Sequence, residues 1–105
     1  MAKSIVGTAK SVYNVKRWGE GYFDINPQGE VCVNPSAAKS APINLPKLCD
    51  ELKDSGLTYP ILVRFTDILS DRVSRLVNAF KEAKADRGYQ GRYTAVYPIK
   101  VNQQF

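Results

Sequence analysis

Apolar and polar residues first alternate between Gly21 and Val33, where two short runs flank a turn. The runs Gly21–Ile25 and Glu30–Val33 are rich in the β-branched and aromatic residues that favour strands. Between them, residues 26–29 read Asn-Pro-Gln-Gly, with proline at the second and glycine at the fourth position, which suits a type I turn. The sequence therefore predicts a β-hairpin, with Val31 and Val33 on one face of its second strand.

Apolar residues at helical spacing predict two helices further along the chain. The first follows a linker at residues 34–42, with Asn44 as its cap, Pro46 in its first turn and Gly56 as its end. Its apolar stripe is Leu45, Leu48, Cys49 and Leu52. The second runs from about Asp67 to Arg87, and Gly88 follows as a stop signal. Its apolar face, predicted to be core, comprises Ile68, Leu69, Val73, Leu76, Val77, Phe80 and Ala83, and its charged face, which includes Asp71, is expected to be solvated.

Two further apolar runs predict buried strands. Pro60–Phe65 precedes the second helix, and Arg92–Tyr97 follows it and leads directly into Lys100. The order of hairpin, helix, strand, helix and strand indicates an α/β architecture. A last strand that is apolar on both faces needs neighbouring strands and helices, which these 105 residues do not supply. We therefore expect an incomplete α/β fold, preceded at residues 1–12 by a mobile leader without clear periodicity.

Composition narrows the chemistry that the chain can perform. It contains no histidine, which excludes a Ser-His-Asp triad, a Cys-His pair and a His-ligated zinc site within it. Cys32 and Cys49 lie in no metal-binding spacing, and a disulfide between them is disfavoured because no export signal is present. With no apolar run long enough to span a membrane, we expect a cytoplasmic protein. The net charge is +5, but the basic residues are scattered, which argues against nucleic-acid binding.

Lys100 is the principal candidate for chemistry. It lies just past the end of a predicted apolar strand, where α/β folds place their ligands. On position alone, a solvated lysine at a strand end is the commoner case. The run Tyr97-Pro98-Ile99-Lys100-Val101-Asn102, however, resembles the Tyr-x-x-Lys-x-Asn stretch of the alanine racemase-like enzymes of fold type III, which use pyridoxal phosphate (PLP). That group includes the ornithine, diaminopimelate and biosynthetic arginine decarboxylases.

The resemblance to the biosynthetic arginine decarboxylases extends over nearly the whole chain from about Tyr13. The matching segments are Tyr13-Asn14-Val15 with Trp18-Gly19, Gly21–Asn26 with Gly29, Pro60–Phe65, Ile68-Leu69, Arg72-Val73, Asn78–Lys81, Gly88–Gly91 and Val96–Gln103. The last of these is the most specific.

This resemblance implies a particular fold. The family is several times longer than this chain and joins a (β/α)8 barrel to a β-domain. By that pattern, residues 13–42 are a hairpin segment of the β-domain with its linker. Residues 43–105 are the helix-strand-helix-strand start of the PLP-binding barrel, which is incomplete and truncated after the first barrel strand. Lys100 would lie at the C-terminal mouth of that strand.

The resemblance also implies a reaction. Lys100 would form the Schiff base with PLP, because an amine can condense with its aldehyde and a hydroxyl or carboxylate cannot. The full-length enzyme would convert arginine to agmatine and CO2 in polyamine biosynthesis, with Mg²⁺ also required, and would be a homo-oligomer that binds no nucleic acid and no membrane. Asn102 either supports the lysine loop or caps a turn, and Tyr97 either flanks the cofactor or packs in the core.

Other residues have plainer interpretations, and other functions stay open. Arg64 pairs with an acid outside this chain or, more commonly, is a surface arginine whose stem lies on apolar residues. Trp18 is expected to pack.

Since no glycine-rich phosphate loop is present, the isolated chain is expected to be inactive. The alternatives are another decarboxylase of the same fold type, acting on ornithine, diaminopimelate or carboxynorspermidine, and a small basic binding protein without enzymatic activity.

Overall fold

The computed structural model describes residues 4–35, 41–98 and 100. In chain order its elements are α1 (Ile5–Val12), α2 (Val15–Gly19), β1 (Phe23–Ile25), β2 (Val31–Val33), β3 (Ile43–Asn44), α3 (Leu45–Asp54) and α4 (Thr66–Asp86). The chain divides into two compact units, Met1–Asp71 and Arg72–Phe105. Its helices and strands together place the structure in the mixed α and β class, as predicted.

The predicted hairpin is confirmed in the first unit. Strands β1 and β2 pair antiparallel, with Phe23 opposite Val33 and Ile25 opposite Val31. At the turn between them the carbonyl of Asn26 accepts a hydrogen bond from the backbone N–H of Gly29 at 2.9 Å. Gly29 has a φ of +85°, which a residue without a Cβ adopts readily.

Sharing one face of β2 does not give Val31 and Val33 the same burial. Val33 and its neighbour Cys32 are both buried, whereas Val31 is exposed. The reason is a third strand that the sequence pattern did not reveal: β3 pairs with β2 through Cys32 and Val33 but does not reach Val31. Coverage by a neighbouring strand, rather than side-chain alternation, therefore decides burial here.

Helix α3 begins and ends where the sequence predicted. The side chain of Asn44 accepts a hydrogen bond from the backbone N–H of Lys47 at 3.0 Å, and proline occupies the first turn. At the other end Gly56 has a φ of +89° and donates its N–H to the carbonyl of Lys53 at 2.9 Å. The cap residue and the terminal glycine thus satisfy backbone groups that a helix leaves unpaired.

The segment before Tyr13, where no regular element was expected, contains helix α1. The hydroxyl of Ser4 caps it by accepting from the N–H of Gly7 at 3.0 Å. An ion pair between Lys10 and Asp24, 2.8 Å long, joins it to β1. Partial burial alone would raise the pKa of Asp24, but the hydrogen bonds from Lys10 and from the backbone of Ile25, with the charge of Lys10, bring that pKa below its usual value.

Four residues form the buried apolar centre of the first unit among the residues described: Val15, Tyr22, Cys32 and Val33. The hydroxyl of Tyr22 donates a hydrogen bond to the carboxylate of Asp71. Asp71 was assigned to the solvated face of its helix, and this contact corrects that expectation. A buried phenol needs a polar partner, and Asp71 supplies that partner to the Tyr22 hydroxyl.

Trp18 packs, as predicted, although half of its surface stays exposed. Its ring lies 5.8 Å from that of Phe23 in a tilted arrangement. Its indole N–H donates to the carbonyl of Tyr13 at 2.9 Å. Ring contact and hydrogen bond together hold the chain where α2 leads into β1.

Both predicted buried strands are wrong for this chain. Residues 60–65 and 92–97 belong to no strand in the structure, and Val96 and Tyr97 are exposed. An extended apolar segment becomes a strand only when a second segment accepts and donates its backbone hydrogen bonds. In the described ranges no such partner lies beside either run. The barrel that these strands would begin is therefore not formed here.

The long helix is confirmed, but its apolar stripe is not core. Helix α4 spans Thr66–Asp86 and ends before Gly88, which has a φ of +61°. Along it Leu69, Val73, Leu76, Val77 and Phe80 are between 37% and 61% exposed. The periodicity correctly identified one apolar face, yet burial requires a second surface to pack against it.

Glu30 links the hairpin turn to the start of α3. Its carboxylate accepts hydrogen bonds from the side-chain amides of Asn26, at 2.8 Å, and of Asn44, at 2.5 Å. Both asparagines also use their side-chain oxygens: Asn26 accepts from the backbone N–H groups of Gln28 and Glu30, and Asn44 caps α3. The hydrogen bond from Asn26, followed by that from Asn44, lowers the pKa of Glu30.

We expect this arrangement to make the stability of the first unit depend on acid pH. Because the folded-state pKa of Glu30 lies below its usual value of 4.5, its stabilising effect is complete above that pH and is lost as the pH falls through the lowered pKa. Glu30→Gln should remove this part of the pH dependence when urea unfolding, followed by Trp18 fluorescence, is compared between about pH 6 and about pH 3. Glu82→Gln, on the exposed surface of α4, is the control. An unchanged pH profile in Glu30→Gln would contradict the prediction.

Candidate functional site

Of the residues predicted to form the cofactor site, the structure describes Tyr97 and Lys100, and both are exposed. From Gly91 to Pro98 the chain forms no helix or strand, and the side chain of Tyr97 is 80% exposed. Lys100 is itself exposed, and Asn102 lies outside the described residues. The core alternative for Tyr97 is therefore wrong for this chain. Its predicted place beside a cofactor, and the part proposed for Asn102, stay predictions.

The chemistry available at Lys100 is that of an accessible primary amine. Such an amine, when uncharged, can attack an aldehyde, and an exposed side chain has no steric obstacle to doing so. Other exposed lysines, such as Lys47 and Lys81, offer the same chemistry, so Lys100 is distinguished by the sequence around it and not by its exposure. Contacts to the phosphate and ring of PLP would need further residues.

Arg64 is a surface residue, which was the more common of its two interpretations. It is exposed and borders an apolar depression of about 320 Å³ in the first unit, whose other lining residues are Phe23, Phe65, Ile68 and Leu69. Its aliphatic stem can cover these apolar residues while the guanidinium stays in water. This arrangement matches the expectation of a surface arginine.

Metal binding finds no support in the part of the chain that the structure describes. Within residues 4–35, 41–98 and 100, no group of three or more Cys, Asp or Glu residues lies together in a way that could hold an ion. Cys32 and Cys49 are both free thiols, the first buried and the second exposed. Across the same ranges every helix is too short or too polar to cross a membrane.

The distribution of charge is one feature that sequence reasoning missed. The first unit contains eight basic and eight acidic residues, whereas Arg72–Phe105 contains seven basic and two acidic ones. The net charge of +5 is therefore carried entirely by the second unit. The basic residues looked scattered because they form no continuous run. Counting them on either side of Asp71 would have shown the asymmetry.

Comparison with known proteins gives one consistent result. The chain is 52% identical over 105 residues to a biosynthetic arginine decarboxylase of Marinobacter nauticus, covering 99% of this chain and 16% of that protein. Proteins of the same name from Pseudomonas putida and Pseudomonas aeruginosa are 54% and 53% identical to it over 94% of its length. The chain spans about a sixth of the length of these curated relatives. No family model matches it.

Identity near 50% along almost the entire chain shows common ancestry with amino-acid decarboxylases, a class of carboxy-lyases. More specifically, the chain is homologous to the N-terminal region of the biosynthetic arginine decarboxylases. The expected resemblance is thereby confirmed.

Proposed function

We propose that this chain is the part of an arginine decarboxylase that contributes the cofactor-binding lysine, Lys100, and that the complete enzyme converts arginine to agmatine and CO2. The observation that carries the proposal is the identity of 52% that extends over 99% of the chain and so includes the segment around Lys100. Each of the three relatives described above is named for arginine, which supports that substrate over ornithine, diaminopimelate or carboxynorspermidine.

Lys100 suits this task by its chemistry. It would hold PLP covalently through Nζ, which must lose its proton before it can attack. When bound, the cofactor supplies an electron sink that stabilises the negative charge left on the substrate's α-carbon as CO2 departs. The Lys100 amine would also be the group that moves a proton at that α-carbon.

The proposed setting explains why the site is open in this chain. We expect residues 92–97 to become the first strand of a (β/α)8 barrel once further β/α units flank them, with Lys100 at the carboxyl end where such barrels build their active sites. Those units, and the groups that would hold the cofactor's phosphate and the substrate, belong to the five-sixths of the relatives' length that this chain does not span. A cytoplasmic homo-oligomer of the complete enzyme is part of the same proposal.

Attachment of the cofactor to Lys100 is directly testable. We propose a hybrid enzyme in which this chain replaces the matched segment of the Marinobacter nauticus protein, to which it is 52% identical. After loading with PLP and reduction with borohydride, peptide mapping by mass spectrometry should find the added mass on Lys100. A label on another lysine, with Lys100 unmodified, would refute the assignment.

A further inference from the structure

One side of helix α4 is apolar and largely uncovered in the second unit. Val73, Leu76, Val77 and Phe80 recur at the three- and four-residue spacing of a helix, so they lie along one side of it, here called the α4 stripe. These residues are between 37% and 60% exposed. Monomeric proteins seldom leave a contiguous apolar row in water, and such rows commonly mark surfaces where a partner binds.

The other side of α4 is polar and also exposed. Asn78 and Glu82 lie there, because each residue advances the helix by about 100° of rotation. A helix in a protein is stabilised mainly by packing of its apolar face, so a stripe that stays in water contributes little. The α4 stripe therefore has apolar surface available for a further contact.

The contact already present at one end of the stripe indicates what covers the rest. The ring of Phe80 stacks on that of Tyr93, with centroids 4.2 Å apart and planes inclined by 9°. Tyr93 belongs to residues 92–97, which are proposed above as the first barrel strand. The helices of such a barrel form a ring around its strands. We therefore expect neighbouring strands to lie over Val73, Leu76 and Val77, and in the relatives the five-sixths of the chain beyond the matched region would supply them.

We propose that the α4 stripe is the docking surface for the remaining five-sixths of a biosynthetic arginine decarboxylase, and that this contact holds the two parts together even when the peptide chain between them is cut. The inference rests on the function proposed above, because it takes the partner from that enzyme. It adds that the chain behaves as a separable piece whose attachment to the remainder is non-covalent. A second copy of this chain is the competing occupant, and it would bring a helix like α4 to the stripe instead of strands.

Cutting the hybrid enzyme described above tests this proposal. A protease site inserted after Phe105 allows cleavage once the hybrid has folded, and the two pieces should then elute together in size-exclusion chromatography. Leu76→Asp places a carboxylate in the α4 stripe. Because burial of an unpaired charge is unfavourable, it should raise by at least about 10²-fold the concentration below which the cut pieces separate. Asn78→Asp introduces the same charge on the other side of α4 and is the matched control, which should leave that concentration unchanged.

The isolated 105-residue chain distinguishes lost docking from damage to α4 itself. Leu76 is 49% exposed in it, so Leu76→Asp should leave its circular dichroism spectrum unchanged. If Leu76→Asp removes helix from the isolated chain, the milder Leu76→Ala decides the matter. Separation of the cut pieces at an about tenfold higher concentration, with an unchanged spectrum, supports docking through the stripe, and unchanged separation contradicts it.

Three outcomes would overturn the proposal. They are separation of the pieces after cleavage of the unaltered hybrid, an equal effect of Asn78→Asp, and a dimer of the isolated chain that Leu76→Asp abolishes, which would assign the stripe to a second copy. Borohydride labelling of Lys100 is read independently of association. A hybrid that is labelled at Lys100 but separates when cut refutes this inference alone, whereas a label on another lysine in pieces that stay together refutes only the assignment of Lys100.

Discussion

Replacing Lys100 by alanine in the hybrid enzyme described above should lower kcat/KM for arginine by at least about 10²-fold. A positioned acid–base group alone contributes 10²- to 10⁴-fold, and Lys100 would also be the attachment point of the cofactor. The measurement is agmatine and CO2 formation at saturating PLP. Lys100→Arg should be similarly impaired, because a guanidinium keeps its proton and cannot attack an aldehyde.

The matched control is Lys81→Ala, which removes an exposed lysine from α4 and should leave the rate within a few-fold of the hybrid. The isolated 105-residue chain should form no agmatine, because residues 92–98 belong to no strand in it and Lys100 is exposed. Activity in Lys100→Ala within tenfold of the hybrid would contradict the proposed role of this lysine. Agmatine formation by the isolated chain would contradict the need for further barrel units.

Truncating Val33 to alanine should markedly lower the stability of the first unit. Val33 is fully buried, in the central strand of the sheet, and Val33→Ala removes two methyl groups from a site where neighbours on both sides are held by backbone pairing. The expected loss is about 2 kcal/mol, from lost burial and the cavity left behind. Urea unfolding followed by Trp18 fluorescence measures it, since Trp18 lies in the same unit.

Val31→Ala provides a control for this second prediction within the same strand. The same two methyl groups are removed, but Val31 is 37% exposed and has no partner in β3. Its loss should stay below about 0.5 kcal/mol. The difference between the two variants isolates burial, because strand propensity changes equally in both. Equal losses would show that β3 does not protect Val33 as the structure indicates.

Local features of this protein could be predicted from its sequence because short-range chemistry decides them. Asn26 and Gly29 define the hairpin turn through hydrogen bonds within four residues. Asn44 caps α3 and Gly56 ends it for the same reason. The period of apolar residues correctly located α4 to within one residue at each end. The resemblance around Lys100, too, was visible in the sequence alone.

Burial and strand pairing were decided by the tertiary structure. Whether Val31 is covered depends on how far β3 extends. Because β3 has only two residues, it shows no hydrophobic pattern from which a strand could be predicted. The apolar runs at 60–65 and 92–97 carry the composition of strands, yet a strand requires a partner that composition cannot provide. The same dependence applies to Lys100. Its identity as a candidate catalytic amine follows from sequence, whereas a pocket around it requires neighbouring chain, because desolvation and orientation come only from groups packed against it.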